Sequence, residues 1–92
     1  MHAIVTGIGD LKEYLGKEPW EVELPEGACS RDLLQRIEAR WGNNFPLYLW
    51  DSEQHQFRGP IFLVVNGKVL QDMDAPLQDG MEICIMRAIA GG

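Results

Sequence analysis

The chain has 92 residues, 46% of them hydrophobic and 24% charged, and a net charge of −6. Such a length holds one core and no second, and such a composition belongs to a folded globular chain rather than a disordered one. The acidic balance argues against nucleic acid, whose affinity comes from Lys and Arg on phosphates. The absence of both a basic-then-apolar leader and an apolar run of roughly 20 residues gives the expectation of a cytoplasmic protein with no membrane partner.

Residues 3–8, Ala3-Ile4-Val5-Thr6-Gly7-Ile8, are β-branched and apolar and read as a strand. Residues 10–15 begin with Asp10 and run out at Gly16, which suits a helical turn or two, with an irregular loop as the alternative. In residues 20–24, Trp20, Val22 and Leu24 alternate with Glu21 and Glu23, the period of a half-buried strand. Pro25-Glu26-Gly27 breaks it.

Ser30 is placed to cap the one long helix, with Asp32 near its positive end. Leu33, Leu34, Ile37 and Trp41 form the inner stripe, Arg31, Gln35, Glu38 and Arg40 face outward, and Gly42 closes the helix. Leu47-Tyr48-Leu49-Trp50 reads as a short strand or a packed loop. Residues 61–65 are apolar throughout, as in a strand covered on both faces. Asn66-Gly67 then turns the chain into an antiparallel return over Lys68-Val69-Leu70.

Residues 72–77 cross over, and Asp79-Gly80 leads into the last strand, residues 81–86. There Ile83 and Ile85 share one face, and Glu82, Cys84 and Met86 the other. The mixed second face is either a partly solvated sheet face, common in antiparallel sheets, or a partner surface with Met as an adaptable contact.

Cys29 and Cys84 are isolated in sequence, as are His2 and His55. Neither a metal-ligand spacing nor a nucleophile–base set can be assembled from them, so no metal and no resident cofactor is expected. The two thiols are expected to stay reduced. One helix covers one face of a sheet, so this order of elements implies a two-layer α+β domain over residues 1–88. It is followed by a narrow tail, Ile89-Ala90-Gly91-Gly92. A terminal glycine pair would arise by chance in about 0.5% of chains at ordinary glycine usage. Lacking Cβ atoms, it can enter a slot closed to other residues.

Three stretches, Val65-Asn66-Gly67-Lys68, Pro76-Leu77-Gln78-Asp79-Gly80-Met81-Glu82-Ile83 and Ala88-Ile89-Ala90-Gly91-Gly92, resemble the β-grasp sulfur carriers. Leu11-Lys12-Glu13-Tyr14-Leu15-Gly16 resembles that family's first helical turn. The likeness runs over nearly the whole chain, and the Ala-Gly-Gly ending is closest to the small subunit of molybdopterin synthase. Met81, Met86-Arg87, Lys12 and Ile8 depart from the pattern: the family usually has an aspartate, prolines, an arginine and an aromatic there.

The resemblance implies a ubiquitin-like β-grasp with a mixed sheet of four to five strands and one main helix. It implies no bound cofactor and no catalysis by this chain. The Gly92 carboxylate would be adenylated by an E1-like, ATP-using enzyme and converted to a thiocarboxylate, a 1-thioglycine. Its sulfur would pass to a molybdopterin synthase large subunit or another sulfur-accepting enzyme. Gly91, Ala90 and Ile89 would thread into the partner, and Ile8, Lys12, Cys84 and Met86 would form the partner surface. Carriers for cysteine or thiamine thiazole synthesis, a ubiquitin-like protein modifier and a passive interaction module are the alternatives.

Gly91→Val is expected to leave the urea unfolding midpoint unchanged and to block sulfur loading. Loading at the normal rate would refute the narrow-slot argument.

Overall fold

In a computed structural model, residues 1–87 are described; the expected tail over residues 89–92 lies outside the described residues. Strands β1 (His2–Gly7), β2 (Trp20–Glu23), β5 (Ile61–Val65), β6 (Lys68–Val69) and β7 (Met81–Arg87) form one sheet in the order β2-β1-β7-β5-β6. β7 runs parallel to β1 and antiparallel to β5, so the sheet is mixed. The α+β expectation holds, with five strands and one main helix, α2 (Ser30–Trp41).

Period-two alternation sorts the side chains. Ala3, Val5, Val22, Leu63, Ile83 and Ile85 point to the helix and are buried, together with Leu33, Leu34 and Ile37 from α2. Each of the Val, Leu and Ile side chains contributes about 1.5–3 kcal/mol by leaving water. A 3₁₀ turn (Gly9–Leu11) and the single turn α1 (Lys12–Leu15) close one end, burying Leu11 and Leu15. The helical alternative for residues 10–15 is therefore the one adopted. Gly7 lets them pack closely, since a Cβ there would lie a tight 3.2 Å from both Leu11 O and Leu15 Cδ1. At the other edge, Asn66 and Gly67 have φ of 53° and 79°, and Val65 pairs with Lys68 across them. Both positive φ values are what a two-residue hairpin demands.

Two sequence expectations need correction, and one pair of alternatives is decided. Cys29, not Ser30, caps α2. Cys29 is held extended by its bridge to Pro76, and its N–H donates to the Asp32 carboxylate at 2.8 Å. That bond, chiefly, holds the Asp32 carboxyl below its ordinary range. Ser30 sits inside the first turn, fully buried, its Oγ without a hydrogen-bond partner among the described residues.

Of the two readings of residues 47–50, the packed loop is the one adopted, with Leu49 and Trp50 buried. A turn on Pro46 O carries Leu47 and Tyr48 into solvent. Only Trp50–Asp51 (β3) pairs, with Gln56–Phe57 (β4), in a small second sheet. Glu38, the second correction, is half-buried rather than fully solvated. It accepts from Trp50 Nε1 at 2.7 Å and meets His55 Nδ1 at 2.9 Å, tying α2 to that sheet. Gly42 leaves it room, since a Cβ there would lie 2.9 Å from Glu38 Cγ.

The Trp50 indole N–H first, and His55 second, hold the Glu38 carboxyl below its ordinary 4.5 despite partial burial. A carboxyl with a lowered folded pKa stabilises above its unfolded value and loses that contribution as pH falls through the folded one. The stability gap between wild type and Glu38→Gln is therefore expected to shrink from about pH 7 to about pH 3 in urea titrations. A constant gap would contradict the ionic contact.

Candidate functional site

The face of the sheet turned away from α2 is covered by no helix among the described residues. Its side chains follow from register. Thr6 lies beside Cys84, Cys84 beside Val64, and Val64 beside Val69, one row across four strands. Phe62 lies beside Met86. Ile8, whose N–H donates to Ile85 O at 2.9 Å, continues β1 by one residue to the same end. Phe62, Val69 and Ile8 are 38%, 44% and 36% exposed, while Cys84, Met86 and Val64 are half-buried. These figures decide the character of the surface: solvated on its outside, yet apolar through three adjacent strands.

The same face turns acidic toward the other edge. Ile4 is flanked by Glu82 and Glu21, and His2 by Glu23. The apolar part therefore sits at the C-terminal end of β7. Arg87, the last described residue, ends that strand and meets Asp10 of the 3₁₀ turn at 3.1 Å. Such a half-exposed pair is worth about 1 kcal/mol at most, enough to orient side chains and too little to hold the fold.

Of the partner-surface residues expected from sequence, Ile8, Cys84 and Met86 come together at this end of the open face. Lys12 is exposed on α1, just beyond it. The tail residues Ile89, Ala90, Gly91 and Gly92 lie outside the described residues.

Phe62, Val64 and Val69 were missed. The all-apolar strand at 61–65 was expected to be covered on both faces, and one face is open. The signal was available: a domain with a single long helix cannot cover both faces of a fully apolar strand. Both cysteines are free thiols. Among the described residues, no three His, Cys, Asp or Glu side chains are grouped to hold a metal ion, and no helix is long and apolar enough to cross a membrane.

A mixed five-strand sheet on one helix, with an apolar open face at the exit of its central strand, defines a ubiquitin-like β-grasp protein. The ThiS family model matches residues 5–92. The chain belongs to the ThiS family, which places it among the ubiquitin-like sulfur carriers.

Solved structures agree on the fold. SAMP1 from Haloferax volcanii, a small archaeal modifier protein, superposes with a TM-score of 0.78 at 16% identity over 100% of both chains. A putative molybdopterin converting factor subunit 1 from Pyrococcus furiosus gives 0.74 at 24% identity, covering 97% of this chain and 99% of that one. A complex of subunits 1 and 2 of the molybdopterin-converting factor from Helicobacter pylori gives 0.61 at 16% identity over 100% of both chains. At these identities the likeness is one of fold. No curated protein matches the chain by sequence.

Phe62→Asp is expected to leave the unfolding free energy within about 1 kcal/mol of wild type, since the ring is already partly in water. It should weaken any partner that covers this face by tenfold or more in calorimetry. Unchanged affinity would remove the face from the interface.

Proposed function

We propose that this chain is a sulfur carrier whose working group is the Gly92 carboxylate, acting in molybdopterin synthesis with a separate large subunit. The observation that carries the reading is the open apolar face around Cys84, Met86 and Phe62. It flanks the strand that leads into Ala88-Ile89-Ala90-Gly91-Gly92, and the family match extends through that sequence. A carrier needs a surface for its partners and a reactive end beside it, and no catalytic groups of its own.

A free carboxylate is a poor acyl donor because its leaving group would be oxide. Attack of the Gly92 carboxylate on the α-phosphorus of ATP, on an E1-like adenylating enzyme, expels pyrophosphate and gives an acyl-adenylate. A persulfide sulfur then displaces AMP to give an acyl disulfide. A second thiol cleaves the S–S bond, releasing the thiocarboxylate and a disulfide of the two donor thiols. The thiocarboxylate, a 1-thioglycine at residue 92, is ionised near neutrality and nucleophilic through sulfur. ATP belongs to the activating enzyme, and this chain binds no cofactor. The molybdopterin assignment draws support from the Pyrococcus furiosus and Helicobacter pylori proteins, whose names place them in molybdopterin conversion, the second as a complex with subunit 2. Carriers for cysteine or thiamine thiazole synthesis would use the same steps with a different acceptor.

The likeness to a protein named as a small archaeal modifier supports a second reading, in which the same activated end is joined to lysines of other proteins. Intact-mass spectrometry separates the two after incubation with ATP, a cognate activating enzyme and a sulfur donor. The carrier reading predicts exchange of one oxygen for sulfur at residue 92, and the modifier reading a ladder of isopeptide-linked products. A chain that acquires neither mass change defeats both.

A further inference from the structure

β2 is the terminal strand of the sheet, and its outer edge faces a groove of about 390 Å³ shared with α2. Met1 N and Leu24 N each donate to the other residue's carbonyl at 2.8 Å, which fixes the phase of the β1–β2 ladder. Alternation along an antiparallel pair then turns the N–H and C=O groups of Val22 toward β1 and those of Glu21 and Glu23 outward. The edge thus offers two donors and two acceptors at the spacing an added strand uses.

The helix side of the groove is basic in an acidic protein, while Glu21 and Glu23 line its strand side. Arg31, Arg58 and Arg87 are each paired with a carboxylate. Arg36 and Arg40 have no carboxylate within 4.0 Å among the described residues, and both line this groove. Arg40 is also held in place: its guanidinium lies 5.0 Å from the ring centroids of both Trp20 and Trp41, which are themselves edge-to-face at 4.8 Å. A stacked guanidinium keeps its N–H fork for a planar bidentate acceptor.

We propose that the β2 edge is a second recognition site, which takes an extended segment of a partner protein as a sixth strand. The segment's carboxylate side chains would sit on Arg36 and Arg40. Side chains of the added strand alternate between the helix side, where these arginines wait, and the open side, where Glu21 and Glu23 stand. Carboxylates are therefore selected on one side and repelled on the other. A second copy of this chain is disfavoured as the occupant, because pairing two β2 edges would set glutamates opposite glutamates. The site lies across the sheet from the Phe62–Met86 surface, so a carrier could be held here while its open face and tail are engaged elsewhere.

The test uses an N-acetylated, C-amidated nonapeptide alternating threonine and glutamate, titrated into the full chain and followed by ¹⁵N chemical shifts. Saturable shifts are expected at the Glu21 and Glu23 amides and at the Arg36 and Arg40 side-chain N–H groups. The affinity should fall roughly tenfold or more with Arg36→Glu/Arg40→Glu, or with a peptide carrying lysine for glutamate. Both arginines are exposed, so the doubly reversed chain should stay folded, its unfolding midpoint lowered only by the loss of the Arg40 contacts with Trp20 and Trp41. Glu23→Pro, which removes an outward N–H at an edge that tolerates proline, should weaken binding comparably. The proposal is overturned if no saturable shifts appear at millimolar peptide, if they fall on β7 and β5 instead, or if the double reversal binds as tightly as wild type. None of these readouts involves sulfur transfer, so they stand or fall apart from the carrier reading.

Discussion

The structure depends on the double pairing of β7. It is the central strand, parallel to β1 on one side and antiparallel to β5 on the other, and Ile83 and Ile85 place it at 1% and 0% exposure against α2. A strand bonded along both edges opens only if the whole sheet opens, so its far end is the most firmly anchored point from which a chain could leave this domain. The residues that follow Arg87 start from there. In the long connection between α2 and β5, β3 and β4 have two residues each and offer no such anchor.

One helix against five strands forces the second feature. α2 supplies enough apolar surface for one face, and the small hairpin and turns close the ends rather than the back. The inward residues of β1, β5 and β7 therefore pack against α2, and among the described residues the outward ones stay half-buried or exposed. Where the outward residues are glutamates, water is an adequate partner. Where they are Phe62, Val64 and Val69, it is not, and the surface gains by being covered. The gradient from acidic to apolar across one sheet face orients any partner relative to the exit of β7.

The loop region is held by side chains rather than by ladders. Phe45, Trp50 and Phe57 pack with ring centroids 4.9–5.5 Å apart, and Glu38 reaches out of α2 to Trp50 and His55. This explains why a stretch that reads as irregular still buries Leu49 and Trp50. It also accounts for the missing side chain at Gly42, which clears the path of Glu38.

How much of this was legible depends on where the causes lie. Local causes were read correctly. The Asn66-Gly67 turn, the alternation in β2 and β7 and the stripe of Leu33, Leu34 and Ile37 each come from backbone chemistry or periodicity within a few residues. The failures came where a contact between distant segments decided. Ser30 has the chemistry of a cap, but Cys29 holds the position because Pro76, far along the chain, keeps it extended. Glu38 was assigned to solvent by helical spacing and is drawn inward by two side chains from another element. Sequence alone determined the five strands of the main sheet and the long helix, because period and turn preference are short-range. Only the tertiary structure decided which face of the apolar strand β5 stays open and which arginines stand unpaired beside an unpaired edge. Coverage and pairing are properties of the whole set of packed elements, and no single segment carries them.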